Sequence, residues 1–429
     1  MTRIAFIGAG SVEFTRNLLV DILRHEALAD AEIALHDIDA GRLETAGRIA
    51  TSIAGTLGAR PRVTTHLERV AALDGADFAI NSIQVGGFDA TVRDYELPLR
   101  HGVRQTIGDT LGIGGIARAL RSAPVMLGIG DDMAERCPDA WLLNYTNPMA
   151  MLCWLVYGGT PTRNVVGLCH SVQYTMRTLA EIVGVPHEEV VFTGGGINHQ
   201  SFILRFEHGG EDLYPRLAAA IEADPELRRR VRVDIYRRFG WFPTESSEHS
   251  AEYVPWYMRH DDEIERLRIP PGEYVRRSEE ALGEYDDILA QLERGEAFPS
   301  EPSVEYAAEI IHAMVTGTPA VIYGNMENRG QIANLPAGAC VETACLVDAT
   351  GVTPVHLGGV PPQCAALNRT FLNVVELTVR GILEGRRDHI LQAALLDPNT
   401  AASLRVGEID ALVDDILAAY PEGLAGGRA

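Results

Sequence analysis

A cysteine and two histidines raise the question of chemistry in this chain. Cys169 and His170 stand side by side at the exit of an apolar run, Val165 to Leu168, and His199 follows thirty residues after the cysteine in the glycine-rich stretch GGGINHQSF. A thiolate and an imidazole make a mixed sulfur and nitrogen pair suited to a divalent cation. Two protein ligands leave positions open for substrate oxygens, which is what metal-assisted catalysis needs. A Cys-His nucleophile pair is the other sharp reading. It requires an orienting third group and an oxyanion hole, and neither is visible. The plain reading of each residue alone is structural, since a Cys after a strand is commonly a small buried hydrophobe.

Further along, YRRFGWFPTESSEHSAEYVPWY is dense in Tyr236, Glu245, Glu248, His249, Glu252, Tyr253 and Tyr257. As structure it reads as a capped helix start, with Thr244 or Ser246 near acids. As a site it offers a phenol that a nearby cation could tune toward a general base.

The elements that must position these residues begin at the N-terminus. RIAFIGAGS gives an apolar strand and a tight turn at Gly8 and Gly10, and VEFTRNLLVDILRH continues with helical period. There the backbone N–H groups of Gly8, Gly10 and Ser11 and a helix N-terminus can meet a pyrophosphate. Glu13 occupies the third glycine position of the six-residue fingerprint, so the match is partial. AEIALHDID is a second strand that ends in Asp37, about 27 residues beyond Gly10, where a ribose hydroxyl acceptor is expected. Asp39 is its rival or a helix cap. An acid there repels a 2'-phosphate, so the pair favours NAD over NADP.

ADFAINSIQVGG, AWLLNYTNP and NVVGLCHS repeat the pattern of a strand followed by small and polar residues, with helical stretches between them such as GIARALRSAPVMLGIGDDMAERC. This alternation predicts an α/β fold with a right-handed, doubly wound parallel sheet. In such sheets ligands bind outside the carboxyl ends of the strands. Asn81, Asn144, Asn147, Cys169 and His170 all fall there, and Asn81 is assigned to the cofactor edge. Residues 1–190 are expected to form a Rossmann-type, NAD-binding domain like that of lactate and malate dehydrogenases. Residues 191–429 are expected to form a mixed α+β domain that binds substrate and metal. In it, long charged helical segments at 216–238 and 275–296 and a helix in VEYAAEIIHAMVTG precede strands and turns, and a terminal helical stretch runs from Pro361. The tail EGLAGGRA is expected to fray.

Composition bounds the function. A chain of 429 residues suggests two domains. With 37 Lys and Arg against 59 Asp and Glu, the net charge is -22, without a basic patch, so a nucleic-acid partner has no electrostatic footprint. The apolar stretch from Met149 to Tyr157 falls short of the roughly 20 residues of a membrane span, and no signal peptide is evident. Six cysteines without framework spacing fit reduced thiols in a cytoplasm.

Taken together, GAGS at the N-terminus, GDTLGIGG at 108–115, NPM at 147, CHSVQ at 169, NHQ at 198, GQIANLPAG at 330 and VPPQ at 360 resemble the NAD- and manganese-dependent glycosidases of glycoside hydrolase family 4. The motifs run in family order along nearly the whole chain. CHSV resembles the α-galactosidase branch, represented by melibiases. Branches acting on 6-phosphorylated sugars carry Asp or Asn after that cysteine, so His170 argues for an unphosphorylated sugar. The resemblance implies hydrolysis of α-galactosides by an exceptional route. NAD oxidises the sugar C3 hydroxyl, the metal-polarised ketone acidifies the C2 proton, a tyrosine removes it, the aglycone leaves by elimination, water adds, and C3 is reduced again. By position it implies Cys169 and His199 as metal ligands, Asp109 and Asn147 as sugar binders and His170 as general acid. Asp109 stands where relatives often have Glu. Tyr253 is the favoured base, with Tyr257 and Tyr236 behind it. The partner is then a small glycoside, and the family's members are homodimers or homotetramers. The alternatives are the same family acting on α-glucosides or α-glucuronides, a 2-hydroxy-acid dehydrogenase sharing the first domain's fold, and a non-catalytic NAD sensor. Against the dehydrogenase, no paired Asp and Arg accompany a catalytic His, and Cys169 with His199 would be unexplained.

Overall fold

A computed structural model describes residues 1–298 and 301–425. Its thirteen strands are β1 (Arg3–Ile7), β2 (Glu32–His36), β3 (Arg62–His66), β4 (Phe78–Asn81), β5 (Trp141–Asn144), β6 (Val165–Leu168), β7 (Val190–Ile197), β8 (Gln200–His208), β9 (Glu211–Asp212), β10 (Phe242–Pro243), β11 (Ala320–Glu327), β12 (Cys340–Asp348) and β13 (Gly351–Pro354). All belong to one sheet, in the order β10-β8-β7-β12-β11-β6-β5-β4-β1-β2-β3, with β13 beside β12 and β9 beside β8.

From β3 to β6 the neighbours are parallel and follow the 3-2-1-4-5-6 order of a dinucleotide-binding sheet. β11 then joins β6 antiparallel, Gly324 opposite Leu168 and Asn325 opposite Gly167, and every later pairing is antiparallel. The strands of the second half therefore extend the first half's sheet. Alternation along β1 builds both faces. Ile4 and Phe6 join a core made with the helices Val12–Leu23, Ala40–Leu57 and Ala307–Thr316. Ala5 and Ile7 join one made with Gly112–Arg136, Met149–Gly159 and Pro362–Glu384. Each face thus draws on helices from both halves of the chain.

Several expectations are adjusted by local chemistry. The segment 216–238 is two helices, Tyr214–Ala223 and Val231–Phe239. The first stops at Asp224 because the residue before Pro225 is pushed out of the helical region. The segment 275–296 is the helix Glu273–Glu293, and the one in VEYAAEIIHAMVTG spans Ala307–Thr316. β3 (RVTTH) carries too few large apolar residues to stand out in the sequence. The apolar stretch from Met149 is a buried helix of the core, and among the described residues no helix is long and apolar enough to cross a membrane. The tail expected to fray is helical at Glu422–Ala425, where Gly423 packs closely on Leu120; residues 426–429 lie outside the described residues.

Candidate active site

The carboxyl ends of β1, β4, β5 and β6 face one crevice. At β1, Gly8 has φ of +90°, and a side chain there would strike the backbone of Ser82 and Ile83. At Gly10 a Cβ would lie 2.5 Å from Asp37 Oδ2, and the Gly10 N–H donates to that oxygen at 2.8 Å. Both glycines are thus needed for the turn and for close approach of the second strand's acid. Asp39 caps the next helix by accepting from the Arg42 N–H at 2.9 Å, which leaves Asp37 as the acid at the glycine turn. Ser11 precedes the helix Val12–Leu23 without a side-chain cap bond. Asn81 is fully buried below this edge, and its amide donates to Asn144 Oδ1 at 2.8 Å and Thr146 Oγ1 at 3.2 Å. Its side chain braces β4 against β5 through the amide nitrogen, while its Oδ1 makes no hydrogen bond among the described residues.

Cys169 and His199 are brought together. β6 delivers Cys169 to the sheet edge, and β7 and β8 meet in a turn at Asn198 and His199, where His199 takes φ of +62°. Cys169 Sγ lies 3.3 Å from His199 Nε2. Glu245, also in the left-handed region at φ +69°, brings Oε2 to 3.5 Å from His199 Nε2 and 3.9 Å from Cys169 Sγ. These three ligand atoms lie within 4.8 Å of one another, as do those of Asp109, His199 and His249. Burial lowers the His199 pKa to about 4, so the imidazole is neutral and its lone pair available. Burial, with Glu245 and Glu342 nearby, pushes the Cys169 thiol well above its ordinary range. A metal ion must therefore displace a proton from it. The sulfur, nitrogen and oxygen donors fit a divalent transition metal, and three protein ligands do not fill its coordination shell. The glycines before His199 have a packing role, since side chains at Gly195 and Gly196 would strike Leu357 and the β8 backbone.

Beside this cluster is a second set of polar groups. Asn147 Nδ2 donates to Asp109 Oδ2 at 3.2 Å, and His249 Nε2 lies 3.6 Å from Asp109 Oδ1. Arg118, buried on the helix Gly112–Arg136, donates to the Asn147 carbonyl at 3.0 Å and to the Tyr274 hydroxyl at 3.3 Å, with Asp109 at 4.0 Å. Burial works against the Asp109 charge, but His249 and Arg118 outweigh it and hold its pKa well below the carboxylate range. For His249, burial is likewise overridden by Glu245 and Asp109, which raise it to about 9. Glu252 ties this wall together: its carboxylate accepts from the N–H groups of Thr106 at 2.7 Å, Ile107 at 3.2 Å and Gly108 at 2.8 Å, while the Thr106 hydroxyl lies 2.6 Å from the Glu248 carbonyl.

The three tyrosines differ. Tyr257 donates to Asp234 Oδ2 at 2.9 Å in a separate apolar cluster, and Tyr236 is stacked on Tyr214. Tyr253 is buried with its ring 5.9 Å from that of His249, and its hydroxyl, which Thr110 approaches, makes no hydrogen bond of normal geometry among the described residues. His170 lies at the rim, half exposed, with Nδ1 3.0 Å from Glu305 Oε1. Arg118, Tyr274 and Glu305 escaped sequence reasoning. Only Arg118 carried a signal, a cation on the apolar face of a helix. Glu245 and His249 were visible merely as members of a polar segment.

Comparison with known proteins agrees with this arrangement. The chain is 40% identical over 429 residues to an α-galactosidase of Bacillus subtilis, covering 99% of both chains. It is 36% identical over 438 residues to an α-galactosidase of Rhizobium meliloti, covering 98% of this chain and 89% of that one. A 6-phospho-β-glucosidase of Thermotoga maritima, solved with manganese, NAD+ and glucose-6-phosphate, has the same fold, with a TM-score of 0.81 at 22% identity over 98% of this chain and 99% of that one. The family 4 glycosyl hydrolase profile matches residues 3–185, and the profile of that family's C-terminal domain matches residues 195–400. Matched along both halves, the chain belongs to the family 4 glycosyl hydrolases.

Proposed function

We propose that the protein hydrolyses α-galactosides with bound NAD and a divalent cation, manganese in the first instance. The observation that carries this reading is the meeting of Cys169 Sγ and His199 Nε2 at 3.3 Å, at the same sheet edge as the β1 glycine turn. The α-galactosidases among its relatives, similar over nearly the whole chain, support the choice of sugar.

Gly8, Gly10, Ser11 and Asp37 would hold the dinucleotide, with Asn81 shaping the floor beneath it. Cys169 and His199 would hold the cation, with Glu245 beside them. When bound, NAD supplies reversible hydride acceptance at sugar C3 and the cation polarises the oxygen there. Asp109 and Asn147 bind sugar hydroxyls, and Arg118 fixes both. Tyr253 takes the C2 proton. Burial raises its phenol well above the usual range, and a cation in the pocket opposes that field. His170 gives a proton to the departing glycosidic oxygen. Glu305 holds its Nδ1, which leaves Nε2 to face outward.

Release of nitrophenol from 4-nitrophenyl α-galactoside tests the reading, run with NAD, manganese and a thiol reductant and with each omitted in turn. Activity that requires all three is expected. Activity without NAD would overturn the redox route. Faster release from the matching α-glucoside, α-glucuronide or α-galacturonide would overturn the sugar. Steady NADH formation from hydroxy acids would favour the dehydrogenase. We further infer a homodimer or homotetramer, to be read by light scattering, and a cytoplasmic location, which the six unpaired cysteines support.

A further inference from the structure

Glu342 lies on β12 with no exposure and takes no part in the chemistry above. Its Oε2 is 2.6 Å from Ser201 Oγ, and its Oε1 accepts from Asn325 Nδ2 at 3.1 Å. Both contacts lead to the metal ligands. Ser201 Oγ reaches the carbonyl of Ile197 at 3.1 Å, on the far side of the His199 turn, and the Ser201 carbonyl accepts from the N–H of Thr244, the residue before Glu245, at 2.8 Å. Asn325 Nδ2 reaches the carbonyl of Gly167 at 3.3 Å, two residues before Cys169.

A hydroxyl has one proton to give. If Ser201 donates to Ile197, the short contact to Glu342 is a hydrogen bond only when the acid donates to Ser201, and that requires a neutral carboxylic acid. The surroundings favour the same state. Glu342 makes no ion pair among the described residues, and the ionisable groups that act on it or feel its charge, Glu245, Cys169, Cys340, Cys345, Tyr306 and Tyr323, carry no positive charge. Burial raises its pKa to about 7 and outweighs the hydrogen bonds of Ser201, Asn325 and Asn198, which favour the charged form; Glu245 adds to the rise.

We propose that Glu342 is a positioning residue for the metal site, a neutral acid that donates to Ser201 and accepts from Asn325, and so sets the separation of the strands bearing Cys169 and His199. The inference rests on the reading of those two residues as ligands.

The test measures Mn2+ binding by the full-length protein, from the loss of the free-ion electron paramagnetic resonance signal, together with the rate of Cys169 alkylation by iodoacetamide in the absence of metal. Glu342→Gln reproduces the neutral acid's donor and acceptor, and is expected to keep Mn2+ affinity within about twofold and alkylation at the parent rate. Glu342→Leu is expected to weaken Mn2+ by about 10- to 100-fold and to speed alkylation. Ser201→Ala, a smaller change, gives the same directions should the leucine variant not fold. Loss in the glutamine variant as large as in the leucine variant would overturn the proposal, as would parent-like behaviour of both Glu342→Leu and Ser201→Ala. If the parent protein binds no Mn2+, the ligand reading fails by itself, and the alkylation rates alone then decide whether Glu342 sets the strand separation.

Discussion

The sulfur of Cys169 and the Nε2 of His199 lie 3.3 Å apart, one at the end of a parallel strand and the other at the tip of an antiparallel hairpin. The pair is held by the strands that flank it, Cys169 directly after β6 and His199 in the tight turn between β7 and β8. Cys169→Ser keeps the shape but removes the thiolate, so Mn2+ affinity is expected to fall by about 100-fold or more, with NAD affinity unchanged. Calorimetric titration of both ligands checks this. Undiminished Mn2+ binding would remove Cys169 from the ligand set. Peroxide treatment should act in the same direction, reversed by reductant only while oxidation stops at the sulfenic acid or a disulfide.

His249 sets a pH dependence. Its pKa is raised from 6.5 to about 9 in the fold, where Glu245 and Asp109 overcome the effect of burial. A group raised on folding contributes stability that is complete below its unfolded pKa and is lost as pH rises through the folded one. The metal-free protein should therefore lose up to about 3 kcal/mol of unfolding free energy between pH 6.5 and 9. His249→Gln should lack that slope. Urea unfolding at several pH values measures both proteins, and parallel curves would contradict the assignment.

Tyr253→Phe removes a buried hydroxyl that makes no hydrogen bond of normal geometry among the described residues, so its cost to folding is small. The expected result is slowed exchange of deuterium at sugar C2 with NAD binding intact. Unchanged exchange would eliminate Tyr253 as the base and return the question to Tyr257 and Tyr236.

Glu252 accepts three hydrogen bonds from the backbone N–H groups of Thr106, Ile107 and Gly108, the residues leading into Asp109. A carboxylate offers only acceptors to these donors, whereas an amide presents its own N–H to one of them. Glu252→Gln should cost about 1–3 kcal/mol of stability and raise KM for the glycoside. Steady-state kinetics and thermal unfolding decide it; an unaltered KM would detach Glu252 from the sugar wall.

Much of this was legible in the residues, and the reason differs by part. The strand exits at Asn144 and Cys169 could be read because an apolar run that ends in polar groups is a local signal. Asp37 is preferred to Asp39 because it ends the second strand, and the helix beginning at Ala40 adds what spacing does not show, that Asp39 caps it. Asn81 is legible as a strand-end polar residue, but the bonds its amide nitrogen makes to Asn144 and Thr146, 63 and 65 residues away, are not. Glu245 and His249 reach the site only because β10 pairs with β8 and swings their segment back over the His199 turn. No periodicity encodes that return.

The antiparallel seam between β6 and β11 has a consequence for how the chain can be divided. Because the strand that ends in Cys169 is covered on one side by residues 324 and 325, a fragment stopping near residue 190 would leave β6 as a bare edge with unpaired N–H and C=O groups and an apolar sequence. The amino-terminal fragment expressed alone is therefore expected to aggregate even though its nucleotide-binding order of strands is complete.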